Sequence, residues 1–97
     1  MKENTLENKL RLAIQREGGF CVKLNPTWNI GIPDRLIILQ NRVIFCELKK
    51  PKGGRFSGTQ KFWARRLATL GCEYWHVNSE ERITAMLLGN IGSLYEQ

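Results

Sequence analysis

No apolar run in this chain of 97 residues comes near the length needed to cross a bilayer. Met1-Lys2-Glu3-Asn4-Thr5 is followed by no signal-peptide core, so an intracellular location is expected. Histidine occurs once, as His76 in a short strand-like run, which leaves Ser-His-Asp catalysis and histidine-based metal chemistry with little support. The cysteines, Cys21, Cys46 and Cys72, are odd in number and form no Cys-x-x-Cys pair, so neither a disulfide framework nor a zinc knuckle is indicated. Each lies in or beside an apolar segment and reads as a small core residue. There is no internal repeat and no low-complexity linker, and the length suits one domain, 1–97, around one modest core.

One further absence is local. Between Lys49 and Arg66 there is no acidic residue, while Lys49, Lys50, Lys52, Arg55, Lys61, Arg65 and Arg66 supply seven positive charges. The other residues hold eight basic and nine acidic groups, so the net charge of +6 is concentrated in eighteen residues. Such a segment is either a solvated basic face or the docking surface of a polyanion, for which Lys50, Lys52, Arg55, Lys61 and Arg65 are the candidate contacts. Lys23 and Arg35 are the next candidates for phosphate contacts if this segment is not the footprint.

What is present alternates in period. Leu6, Leu10, Ala13 and Ile14 make one stripe of a helix over about Thr5 to Glu17, stopped by Gly18-Gly19. Phe20 to Leu24 reads as a strand, and the loop after it carries Trp28, expected to cover the core. Leu36 to Leu39 and Val43 to Cys46 are β-branched, apolar runs separated by Gln40-Asn41-Arg42, the pattern of a tight hairpin. Both runs are apolar on both faces, as in central strands covered on two sides. Pro51 ends the second run, and Gly53-Gly54 loosen a loop able to approach phosphates. Ser57 caps a helix to about Leu70, with Trp63, Leu67 and Leu70 expected inward. Tyr74 to Val77 is a short strand, and Ser79 caps a last helix with Ile83, Met86 and Leu87 inward. Residues 91–97 form a tail of uncertain structure. The order αβββαβα, with a meander and then a right-handed parallel crossover, predicts an α/β chain of the α+β kind: a mixed four-stranded sheet flanked by helices.

The hairpin places chemistry. A turn at Gln40-Asn41 sets Leu39 opposite Arg42, Leu36 opposite Phe45 and Asp34 opposite Glu47. Alternation then puts Lys49 on the face of Glu47, with Cys46 and Leu48 on the other. Facing carboxylates repel, and a divalent cation between them removes the conflict. Oxygen ligands of this kind suit Mg2+ or Mn2+. The plainer reading makes Asp34 part of a Pro-Asp turn and Glu47 with Lys49 a surface ion pair; the shared register favours the metal site. Glu7 projects within about 20° of Ile14 on the buried stripe, and so either reaches that site or closes a capping box on Asn4. Gln60 follows the Ser57 cap by three residues and fits a capping box as well.

Asp34, Glu47-Leu48-Lys49 and an acid on the preceding helix at Glu7 resemble the PD-(D/E)XK nuclease superfamily, with its restriction-endonuclease-like core. More narrowly, Gly31-Ile32-Pro33-Asp34, Glu47-x-Lys49 and Gly53-Gly54-Arg55-Phe56-Ser57-x-x-Gln60 resemble the VRR-NUC (virus-type replication-repair nuclease) family over about Glu3 to Leu88. The resemblance implies a Mg2+- or Mn2+-dependent DNA endonuclease. Its ions would be held by Asp34, Glu47 and the Leu48 carbonyl, with Glu7 a further ligand, direct or through water. Lys49 would orient or deprotonate the attacking water and stabilise phosphorane charge, and Gln60 would contact water, Lys49 or phosphate. It further implies a short stand-alone form, similar to Holliday-junction resolvases, acting as a homodimer on branched DNA such as a four-way junction. The alternatives are a non-catalytic DNA-binding module on the same fold, against which the paired acids argue, and a phosphotransfer or tRNA-processing enzyme using the same site.

Overall fold

The hairpin expected at the centre of the chain is there. The computed structural model describes residues 3–24, 30–50 and 55–89. Trp28, Lys52 with the loop 51–54, and the tail 91–97 lie outside the described residues. The elements are α1 (Glu3–Arg16), β1 (Phe20–Lys23), β2 (Arg35–Leu39), β3 (Arg42–Leu48), α2 (Gly58–Thr69), β4 (Glu73–Val77) and α3 (Glu80–Leu88). Leu36 pairs with Phe45 and Leu39 with Arg42, the register expected from a two-residue turn. Asn41 takes a left-handed φ of 61° in that turn, a conformation that asparagine tolerates better than most residues.

The four strands lie in the order β1-β2-β3-β4. β1–β2 and β2–β3 are antiparallel, while β3 and β4 are parallel and joined through α2. One face of the sheet carries the main core: Leu6, Leu10 and Ile14 of α1 and Ile83 and Met86 of α3 pack on Ile37, Ile44, Cys46, Trp75 and Val77. On the other face α2 applies Ala64 and Leu67 to Tyr74, with Phe45 and Phe56 beside them. No helix among the described residues is long and apolar enough to cross a membrane.

Two expectations are corrected. Leu70 is 65% exposed. It is the C-cap of α2 rather than part of its last turn, so the inward stripe ends at Leu67. The hairpin is also not covered on both sides along its whole length: Ile38 and Val43, near the turn, are exposed. Both are on the α2 side of the sheet, and α2 packs on β4 and the adjacent part of β3, leaving the turn end open.

Candidate active site

The register that pairs Arg35 with Cys46 puts Asp34, one residue before β2, across from Glu47 near the end of β3. Asp34 is fixed through its backbone and its side chain. Its carbonyl accepts the Leu24 N–H at 2.8 Å, and its Oδ1 accepts the Leu48 N–H at 3.3 Å. The backbone of Lys49 is tied in turn, its N–H donating to the Val77 carbonyl at 3.0 Å. The two acids and the lysine therefore sit on strand ends already held by the sheet.

Glu47 is only 5% exposed. Burial, followed by the charge of Asp34, pushes its carboxyl up to about 7, and Lys49 opposes the shift. The Lys49 Nζ stands 4.0 Å from Glu47 Oε2, and Gln60 Nε2 donates to the same oxygen at 3.2 Å. Gln60 serves its helix at the same time: its Oε1 accepts the Ser57 N–H at 2.9 Å, and its own N–H donates to Ser57 Oγ at 3.1 Å. The capping box expected of Gln60 is formed, and its amide in addition reaches Glu47, a partner that the spacing did not indicate. The capping box holds the side chain in the pose from which its amide reaches Glu47.

Gly31 brings α2 to this place. Its φ is +96°, and a Cβ there would lie 2.6 to 2.8 Å from Thr59, so the loop before Asp34 touches the first turn of α2 where only glycine fits. His76 is the register partner of Glu47 on β4, buried with its ring edge-on to Phe56, the centroids 4.4 Å apart.

Glu7 faces a different partner. Its carboxylate is paired with the Arg35 guanidinium, with Lys23 Nζ at 3.9 Å. The other arm of Arg35, a side chain 7% exposed, lies 3.1 Å from Asp34 Oδ2. Arg35 thus bridges Glu7 on α1 to Asp34 at the start of β2. It is engaged with two carboxylates and buried, so it is not presented to phosphates as the sequence reading had allowed. Its alternation with Asp34 turned it toward α1, which was a legible signal, but its partner depended on how α1 packs.

Among the described residues no group of three or more His, Cys, Asp or Glu side chains is gathered to hold a metal. Two facing carboxylates, one of them buried and reluctant to ionise, still fit a hard divalent ion that takes few protein ligands. Mg2+ is commonly held by one or two carboxylates and completed by water and substrate phosphate. Of the basic residues, Lys50, Arg55, Lys61 and Arg65 are exposed, and none forms an ion pair among the described residues.

No protein-family model matches the chain, and no curated protein matches it by sequence. A solved structure described as a "VRR_NUC domain" superposes on it with a TM-score of 0.82 at 23% identity, covering 92% of this chain and 97% of that one. The superposition covers nearly all of both chains, and the fold of this chain, with its order αβββαβα and mixed sheet, is that of this VRR_NUC domain.

Proposed function

We propose that this chain is a Mg2+- or Mn2+-dependent DNA endonuclease whose site is built on Asp34, Glu47, Lys49 and Gln60. The observation that carries the reading is the buried Glu47 carboxyl held against Asp34 with an ammonium and an amide beside it. A DNA-binding module gains nothing from paired acids facing phosphate. Asp34, Glu47 and the Leu48 carbonyl would hold the ion, and Glu7 would act from one layer further out, through water or through Arg35. When bound, a divalent ion lowers the pKa of water and offsets negative charge on phosphate oxygens.

The protein groups do the rest. Gln60 fixes the Glu47 oxygen that faces Lys49, so one carboxylate arm is aimed while the other stays available. Lys49 places and polarises the attacking water and donates to the charge that builds on phosphorus oxygens; an ammonium has three donors and no acceptor, so it is not itself a ligand. Lys50, Lys52, Arg55, Lys61 and Arg65 take flanking phosphates.

Structure-selective cutting of branched DNA, in replication, repair or recombination, fits a two-fold dimer, since one site on an 11.2 kDa chain cuts one strand while a four-way junction needs two related cuts. Phe20, Ile38 and Val43 are register partners across β1, β2 and β3 and form an exposed apolar row on the face that α2 leaves open. We assign that row to the second copy.

The test is cleavage of labelled duplex, flap and four-way-junction DNA with Mg2+ or Mn2+. Asp34→Asn and Glu47→Gln should each abolish cutting while DNA binding in Ca2+ persists, and Lys49→Ala should lose cutting but keep metal binding. Cleavage at the wild-type rate by either carboxylate variant refutes the site. Light scattering that shows a monomer, both free and on a junction, refutes the dimer.

A further inference from the structure

The outer face of α2 carries a residue that a purely electrostatic DNA surface does not require. Phe62 is 59% exposed. The position four residues back shares the helix face of Phe62. That position is Gly58, where even an added Cβ would meet nothing within 4 Å, and the ring is left uncovered. On its other flank the ring is braced by Trp63, edge-on with centroids 5.9 Å apart.

The residues around the ring follow from the same period. Arg65 and Arg66 stand three and four positions after Phe62, on its side of the helix, and Lys61 stands just before it. With Gly58 and Thr69 they line a cleft of about 370 Å³. None of the three cations forms an ion pair among the described residues. An apolar ring with an open face, ringed by unpaired cations, matches a ligand that is flat, aromatic and joined to anions on both sides.

We propose that this cleft is a subsite for an unpaired nucleobase, which stacks on Phe62 while Lys61, Arg65 and Arg66 hold the phosphates on either side of it. The inference deepens the nuclease reading by naming the substrate class, a single-stranded segment such as a flap or an unwound arm. A duplex keeps its bases stacked inside and can offer this surface only phosphates; a single strand offers both phosphates and a free aromatic face. Gln60, which contacts Glu47, lies two residues before Phe62 and so about 160° around α2 from it, which places the subsite across the helix from the active site.

The experiment is fluorescence anisotropy in Ca2+ with a labelled oligothymidylate and with a duplex of the same length. Phe62→Ala should weaken single-strand binding about tenfold and leave duplex binding within about twofold, because stacking is lost and no charge is removed. Phe62→Trp should bind single strands at least as well as the wild type. Gly58→Leu fills the cleft without touching a charge and should weaken single-strand binding alone. Arg66→Ala should weaken both. Wild-type single-strand affinity in both Phe62→Ala and Gly58→Leu, or an equal loss on duplex, overturns the subsite. So does a fall in solution mass of Phe62→Ala without DNA, which would make this face a self-association surface. The readout needs no cleavage: Phe62-dependent single-strand binding by a protein that never cuts would sink the nuclease reading and keep the subsite, while cutting with indifferent Phe62 variants would do the reverse.

Discussion

Replacing Glu47 by glutamine should stabilise the metal-free protein, and by an amount that depends on pH. Burial and the Asp34 carboxylate hold the Glu47 pKa at about 7, against an ordinary value of 4.5. Below about pH 4.5 the group is protonated in both folded and unfolded chains and contributes nothing. Between 4.5 and 7 the unfolded chain gives up its proton and the folded chain keeps it, so stability falls as pH rises. Above 7 the folded chain carries the full penalty of a buried, repelled carboxylate, about 3 kcal/mol from a difference of ~2.5 pH units. The Glu47→Gln side chain does not titrate, and its amide oxygen can still accept from Gln60. Urea unfolding in EDTA, followed by tryptophan fluorescence, should give equal stabilities for wild type and Glu47→Gln near pH 4.5. At pH 8 the variant should be ahead by about 2 to 3 kcal/mol. Adding Mn2+ at pH 8 should raise the wild type and leave the variant unmoved. Stability curves that run parallel from pH 4.5 to 8 would refute the electrostatic account of this site.

Gly31→Ala should cost about 2 kcal/mol or more in urea unfolding, because a Cβ at φ +96° would lie against Thr59, and cleavage should fall with it as the first turn of α2 is pushed from Glu47. Arg35→Leu leaves Glu7 and Asp34 without their common cation and should destabilise the metal-free protein by about 2 kcal/mol, less than for a fully buried pair because both carboxylates are about one third exposed; Mn2+ should restore more stability to it than to the wild type in a thermal melt. Lys61→Ala, Arg65→Ala and Arg55→Ala should each lower the log–log salt slope of duplex binding by about one unit, read by fluorescence titration in Ca2+, whereas a merely solvated basic face leaves the slope unchanged.

Features decided by neighbours along the chain were legible in the sequence. The hairpin register follows from a two-residue turn and the two-residue period of a strand, which was enough to set Asp34 against Glu47 and Lys49 on the same face. The Ser57 and Gln60 capping box depends on one turn of backbone, and the order αβββαβα depends on periodicity and stop signals. Side chains whose partners come from a different element were not legible. Whether Glu7 reached the carboxylates or another group depended on the packing of α1, which sets it on Arg35. Gln60 could be assigned to its cap from spacing, but its second hydrogen bond exists only because Gly31 lets α2 close on the hairpin end. Leu70 had the composition of a core residue and lost its place because α2 ends before it. The raised pKa of Glu47 is likewise tertiary. A carboxylate on an open strand end keeps its ordinary proton affinity, and it is the burial of that end among α2, β4 and Asp34 that removes the water on which its charge depends.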